Sequence, residues 1–375
     1  MKVLLAPDKF KGSLSATEVA EALSAGWKSV LPETQFTFAP IADGGEGFCA
    51  ALGQALNGEW ISLPSVDALG RPIDSRYVWL ADEKTAVIEM SEASGLWRLQ
   101  PWERDPMRAN TFGTGLQIRD AVQRGARRIL LGLGGSATTD GGIGMAAALG
   151  YRFLDACSGL ALDPFPVHLS EIGDIYASGA MALPEIIAAC DVQNPLLGPR
   201  GTAHVYAPQK GADATAVAFL EAGLENLAGV VQRSLGCDFR ETPGAGAAGG
   251  IGYGLLSFAK ATMQPGFDLV AEAVGLEARI RAADVVLTGE GRLDSQTLEG
   301  KGPAGVVAMA RSAGKPALAF AGSIDESPEL LALFNAAIPI IDRVVSLEEA
   351  MRDAAPFLQR AAARTARLLK IHLPV

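Results

Sequence analysis

Apolar residues open the chain as Val3-Leu4-Leu5-Ala6 and stop at Pro7-Asp8, the pattern of a short buried strand. Ser15-Ala16-Thr17-Glu18 has the form of a capping box, in which serine and glutamate satisfy each other's free amides. Val19, Leu23, Trp27 and Val30 then follow at helical spacing. A second strand is expected over 35–40 and a second helix over 46–56. This βαβα opening predicts a parallel sheet with covered faces. Residues 59–90 break the pattern with three β-rich pieces joined by turns such as Ala68-Leu69-Gly70-Arg71-Pro72. They read as a meander that begins an inserted region. Beyond it the pattern predicts a helix over 115–124, a strand over 129–133, and a glycine loop with a helix from about 142. Residues 157–184 read as irregular, 186–190 as a strand and 213–235 as a helix. Doubly wound alternation is clear from 284 onward: a strand over 285–288, a helix over 303–313 with proline in its first turn, and a strand over 317–321. Arg360, Arg364, Arg367 and Lys370 fall on the closing helix, as a solvated face suited to the negative end of its dipole.

The composition changes this picture in two ways. Lys and Arg number 32 against 42 Asp and Glu, a net charge of −10, so diffuse electrostatics would repel a nucleic-acid backbone. Glycine accounts for 43 of the 375 residues, above the usual ~7%, and it clusters at the ends of apolar runs. That is where an α/β protein keeps its ligand loops. The four cysteines, Cys49, Cys157, Cys190 and Cys237, are widely spaced, with no CxxC pair, and read as buried reduced thiols. The N-terminal apolar run is too short for a signal peptide. The charge-free span between 241 and 260 holds six glycines and Pro243, a poor membrane span. A cytoplasmic protein is expected.

Six strand ends carry candidate chemistry. Asp8, Lys9, Lys11, Gly12 and Ser13 follow the first, and Asp43, Gly44, Gly45, Glu46 and Gly47 the second. Gly134, Gly135, Ser136, Thr138, Thr139 and Asp140 follow Leu133, and Asp191, Asn194 and Pro195 follow Cys190. Gly289, Glu290, Gly291, Arg292, Asp294 and Lys301 follow Thr288, and Gly322 and Ser323 follow Ala321. This set suits phosphoryl transfer. Glycines let amides approach phosphate oxygens, carboxylates share Mg²⁺ with phosphate, and lysines neutralise the migrating group. Asp140 reads equally as a helix cap, and residues 244–254 equally as tight helix packing. Walker A is absent. GxGxxG/A occurs at residues 132–137, with Asp155 about where a ribose-binding acid would lie, so an NAD-dependent dehydrogenase is the alternative. The three histidines, His168, His204 and His372, lie outside every glycine loop, which counts against that alternative.

The ordered loops resemble the type-1 glycerate kinases through nearly the whole chain. Ala6-Pro7-Asp8-Lys9-Phe10-Lys11-Gly12-Ser13-Leu14-Ser15-Ala16 and Ala42-Asp43-Gly44-Gly45-Glu46-Gly47 resemble the family's first two motifs. So do residues 132–142, Cys190-Asp191-Val192 with Asn194-Pro195-Leu196, and Pro208-Gln209-Lys210-Gly211-Ala212. Residues 243–250, Gly289-Glu290-Gly291 with Asp294, Gln296-Thr297 and Gly300-Lys301 complete the set. Lys9, Phe48, Thr139 and Ala207 depart from the commoner residues.

The resemblance implies a two-domain α/β fold: a Rossmann-like doubly wound parallel sheet, residues 1–60 and 265–375, with a second mixed α/β domain, 61–264, inserted into it and the site in the cleft. It implies ATP- and Mg²⁺-dependent phosphorylation of D-glycerate to 2-phosphoglycerate, in glyoxylate or aldarate breakdown; the alternative product is 3-phosphoglycerate. The expected roles are Asp191 as base, with Asp43 and Lys9 also catalytic. Lys11, Ser13, Asn194, Arg292 and Lys301 are expected to hold substrate, and Gly134, Gly135, Ser136, Thr138 and Asp140 the nucleotide. Asp43 and Asp294 are expected to serve the metal. Partners are D-glycerate and ATP, with no nucleic acid or membrane, and a homodimer is allowed.

Overall fold

The computed structural model describes residues 1–42, 44–295, 297, 302–325 and 327–370. The chain begins with β1 (Lys2–Leu5), α1 (Ala16–Lys28) and β2 (Gln35–Phe38). There follow α2 (Phe48–Ala55), β3 (Glu59–Val66), β4 (Pro72–Leu80), β5 (Thr85–Glu89), α3 (Ser91–Ser94), α4 (Phe112–Gln123), β6 (Arg128–Gly132), α5 (Ile143–Ala148), β7 (Arg152–Asp155), β8 (Ala161–Leu162), β9 (Ile172–Tyr176), β10 (Glu185–Ala189), α6 (Thr202–Tyr206), α7 (Ala214–Leu235), α8 (Ala247–Ala259) and β11 (Thr262–Gln264). The last part holds α9 (Gly266–Ala273), α10 (Leu276–Ala282), β12 (Val285–Leu293), α11 (Pro303–Ser312), β13 (Ala317–Ile324), α12 (Pro328–Leu333), β14 (Ala336–Pro339), α13 (Leu347–Arg352) and α14 (Ala354–Lys370). Two compact units result: Met1–Asp43 with Phe267–Val375, and Gly44–Gly266.

The first unit is built on a wholly parallel sheet in the order β14-β13-β12-β1-β2. Such sheets are covered on both faces, and Val3, Leu4, Leu5, Val286 and Leu287 are accordingly buried. α1 starts as its sequence dictates: Ser15 N–H donates to Glu18 at 2.8 Å, and Glu18 N–H to Ser15 Oγ at 3.3 Å. Val19, Leu23 and Trp27 of α1 share one core with Phe357, Leu358 and Ala361 of α14 and with Val3 and Leu5. The two helices approach closely at Gly26, where a Cβ would lie 2.0 Å from the Gln359 carbonyl oxygen. The basic face of α14 is less free than expected. Arg360 and Arg364 donate to Asp342 at 2.7 and 2.9 Å and hold its carboxyl well below the usual range. These exposed pairs add little stability.

Two strands run further than their sequence pattern suggests. β12 and β13 stay paired through Arg292↔Ser323 and Leu293↔Ile324, although Gly289-Glu290-Gly291 and Gly322-Ser323 read as loops. Glycines and charges normally weaken a strand. Here the backbone hydrogen bonds of a parallel neighbour hold them extended.

The second unit has a six-stranded sheet, β11-β10-β6-β5-β4-β3. Its first four strands are parallel and the β3–β4–β5 meander is antiparallel, as its turns foretell. α2 clusters with this unit and not with the first, because it covers the meander. Cys49 Sγ donates to the Val87 carbonyl at 3.0 Å, and Gly53 sits against Val78. Residues 157–184 contain β8 and β9, which pair with β7 in a small antiparallel sheet. These strands of two and five residues are too short, and too interrupted by Ser, Gly, Asp and Pro, to show a period. The apolar side of α7 buries Leu220, Leu224 and Leu227 with Phe153, Leu169 and Ile175. By length and composition α7 would also reach across a membrane, but its buried stripe packs in this unit's core. No cysteine is paired; Cys49 and Cys190 are buried, whereas Cys157 is exposed and Cys237 half-buried.

Helix propensity favours alanine over glycine, so only packing decides the sign at Gly26. Gly26→Ala should destabilise the protein by about 1–3 kcal/mol through overpacking. Gly229→Ala in α7, where only the mobile end of Arg233 lies near at 3.4 Å, should be neutral or stabilising. Urea unfolding of both variants checks the pair; equal destabilisation would refute the packing argument.

Candidate functional site

In the first unit, the carboxyl ends of β1, β12 and β13 surround a cavity of about 600 Å³. This is the end of a parallel sheet where α/β proteins bind ligands. Lys9, Lys11, Ser13, Arg292 and Asp294 all line it, so five expected site residues come together. Asp8, Glu290 and Thr297 join them, and Ile340, Ile341, Leu347 and Met351 form an apolar wall. The polar side is internally braced. Asp8 N–H donates to the Gly289 carbonyl at 2.9 Å and Lys9 N–H to Asp8 Oδ1 at 2.7 Å. Thr297 Oγ1 donates to Glu290 Oε1 at 2.8 Å and accepts from Asp294 N–H at 3.1 Å. Arg292 lies 3.5 Å from Asp294 and 3.1 Å from Asp325. Asp43 and Lys301, also expected here, lie outside the described residues.

Among the described residues no three His, Cys, Asp or Glu side chains form a metal cage. Mg²⁺ does not need one, since it takes one or two carboxylates and completes its shell with phosphate and water. Asp8, Glu290 and Asp294 around one cavity fit that requirement.

In the second unit, the glycine loop after β6 lies against the Gly44-Gly45 segment. Gly134 N–H donates to the Gly44 carbonyl at 3.2 Å, and a Cβ on Gly134 would lie 2.3 Å from Gly45 Cα. Gly134 therefore contributes close approach, with its amide already used. On the other side Leu96 N–H donates to the Gly135 carbonyl and Ala137 N–H to the Ser94 carbonyl, at 2.8 and 2.9 Å. The amides of Gly135 and Ser136 are among those that this loop's backbone bonds leave over. Thr138 and Asp140 are wholly buried. Asp140 accepts from Thr111 N–H, Thr111 Oγ1, Gly142 N–H and Gly144 N–H at 2.7–3.1 Å, which ties the start of α5 to the start of α4. Burial raises its pKa against those bonds. Asp191 Oδ1 accepts from Gly266 N–H at 3.0 Å. The Asn194 amide donates to the Arg200 carbonyl and accepts from Tyr206, which braces its own loop.

A residue absent from the expected site stands under this loop. Lys210 is 2% exposed, and its Nζ donates to Ser136 Oγ at 2.8 Å and to the Thr138 carbonyl at 2.6 Å. Burial pushes its pKa down to about 7, opposed by the charge of Asp140. Its run, Pro208-Gln209-Lys210-Gly211-Ala212, was visible as a motif, but nothing in the sequence pointed that lysine at residue 136. Asp8 and Glu290 stand among the strand-end candidates and Thr297 in a motif, but the sequence assigns none of the three a role.

A sequence profile described as the glycerate kinase family matches residues 3–370. The chain belongs to the glycerate kinase family. It is 43% identical to a glycerate kinase of Bacillus subtilis (strain 168), over 99% of this chain and 98% of that one. It is 38% identical to glycerate 2-kinase of Escherichia coli (strain K12), with the same coverage. A crystal structure assigned to a glycerate kinase 2 of Salmonella typhimurium LT2 matches with a TM-score of 0.87 and 38% identity, over 99% of this chain and 98% of that one. As a glycerate kinase family member the protein is a phosphotransferase with an α/β fold. The dehydrogenase alternative loses its structural context. A ribose-binding acid should end a strand beside β6, yet β7 lies in the separate antiparallel sheet. Asp155 there accepts from Ser158 N–H and Oγ, both at 2.7 Å, within a turn.

The lysine has a pH signature. Its folded pKa is depressed below the ~10.4 of an unfolded lysine, so between about pH 7 and pH 10 the unfolded chain binds more protons. Stability from this group is therefore lowest below pH 7 and rises as pH increases through that window. Urea unfolding at about pH 7 and about pH 9 should show wild type gaining on Lys210→Met. A flat or falling difference would contradict the burial of a charge-bearing lysine.

Proposed function

We propose that the protein transfers the γ-phosphoryl group of ATP to the C2 hydroxyl of D-glycerate, releasing ADP and 2-phosphoglycerate. The observation that carries this reading is the first unit's cavity, where Lys9, Lys11 and Arg292 stand beside Asp8, Glu290, Asp294 and the hydroxyls of Ser13 and Thr297. Family membership and the likeness to the glycerate 2-kinase of Escherichia coli support the acceptor and the position.

The residue roles follow from charge. Lys9 and Lys11, with Lys301, suit the glycerate carboxylate or the transferring phosphoryl group, and Arg292 and Ser13 extend that surface. Gly135 and Ser136 offer amides to ATP phosphates. Asp294, with Asp8 or Glu290, would hold Mg²⁺, which when bound offsets the charge of the phosphates. Asp191 is the proposed base. It takes the hydroxyl proton as the glycerate oxygen bonds to γ-phosphorus and the bond from that phosphorus to the bridging oxygen of ADP breaks. The bacterial relatives and the free cysteines support a cytoplasmic setting.

ADP release with D-glycerate tests the reaction. Adding enolase without phosphoglycerate mutase should give phosphoenolpyruvate at once; ADP without it would mean the 3-isomer. Asp191→Asn should lower turnover by about 10²–10⁴-fold while ATP still binds. Near-normal turnover would remove Asp191 as base.

A further inference from the structure

We infer that Lys210 is a positioning residue for the anion loop at Gly135-Ser136, and that it acts through the hydroxyl of Ser136. This rests on the proposed kinase reading, in which that loop holds a nucleoside triphosphate by its phosphates. The argument starts from donor counting. In its ammonium form the lysine has three donors and no acceptor, so at 2.8 Å from Ser136 Oγ the serine oxygen accepts. The serine's own proton is then directed away from the lysine. Lys210 is the one hydrogen-bond partner of that hydroxyl among the described residues. The proton is thus left for an acceptor that the described residues do not supply, and a phosphate oxygen is such an acceptor.

The surroundings fix this arrangement. A second Nζ–H goes to the Thr138 carbonyl at 2.6 Å, so one side chain ties two points of the loop. Gly249 lies on the far side, where a Cβ would stand 3.0 Å from Lys210 Nζ and 1.7 Å from the Thr138 oxygen. Only glycine leaves room for the ammonium and the loop together. The amides of Gly135 and Ser136 are not used by the loop's backbone contacts, so two N–H groups and one directed O–H are available together. The lysine is buried and cannot itself reach a ligand. Its effect passes through Ser136, with its charge as a supporting field.

The test uses inorganic tripolyphosphate as probe, titrated calorimetrically against the full chain, with the KM for ATP and for D-glycerate measured alongside. Ser136→Ala and Lys210→Met should each weaken tripolyphosphate binding about tenfold, as expected for one charge-assisted hydrogen bond. The double variant should bind no more weakly than Lys210→Met alone. The KM for ATP should rise in parallel and the KM for D-glycerate should hold. Ser136→Thr, which keeps the hydroxyl, should keep most of the affinity. Additive losses in the double variant would overturn the inference, as would wild-type affinity in Ser136→Ala or no binding by wild type. If Lys210→Met does not fold, the Ser136→Ala and Ser136→Thr pair still decides. The kinase reading fails separately, by absence of ADP release from wild type with ATP and D-glycerate.

Discussion

Contact of backbone with backbone is the constraint on which the second unit's loops depend. A Cβ at Gly134 would strike Gly45, and one at Gly249 would strike the Thr138 carbonyl. With no side chains between them, three chain segments pack at main-chain distance. Their polar groups must then find partners within the layer, because a buried amide or carbonyl without one is costly. Lys210 and Asp140 answer that need with opposite charges. The carboxylate gathers amides at the start of α5, and the ammonium takes the Thr138 carbonyl. The arrangement carries local strain: Ala248, beside Gly249, adopts φ 52°, ψ 43°, a left-handed conformation uncommon for alanine.

The first unit solves positioning differently. Glu290 and Arg292 stand on β12, which runs on with β13 beyond its pairing with β1. Arg292 is paired in register with Ser323, so it is held by a ladder of hydrogen bonds. Asp294, just beyond, is tied back through Thr297 to Glu290. Side chains on such an extension are better fixed than those on a free loop. Apolar side chains, Ile340, Ile341 and Leu347 among them, complete the cavity's lining. The cavity thus joins charged and apolar side chains in one lining.

Much of the fold was legible because its signals are local. The Ser15–Glu18 capping box, the 3.6-residue spacing of Val19, Leu23 and Trp27, and the turns of the β3–β4–β5 meander each arise within a few residues. Glu290 and Arg292 were misread as loop residues because their extension is imposed by a neighbouring strand that local propensity cannot register. β8 and β9 were lost for lack of length. Within the site, residues adjacent in the chain were found together: Lys9, Lys11 and Ser13, or Arg292 and Asp294. Lys210 was not, since its partners lie over seventy residues away and its burial reverses the usual expectation for lysine. Glycine spacing identified the loop but not the division of labour within it, because Gly134 and Gly135 differ only in which amide a distant carbonyl has taken.

The position of β1 bears on how the chain is made. It lies inside its sheet, yet one flanking strand, β12, is encoded some 280 residues later, and Lys2 N–H bonds to the Asp284 carboxylate at 2.7 Å. On the ribosome, β1, α1 and β2 emerge first with their apolar faces unmatched. The inserted unit can complete its own sheets while they wait. At ~5–20 residues per second the delay is on the order of 10–50 s. Until the end of the chain arrives, the apolar face around Trp27 lacks its partners Phe357, Leu358 and Ala361. A truncation near the C-terminus, which removes α14, would strip Phe357, Leu358 and Ala361 from the core that covers α1.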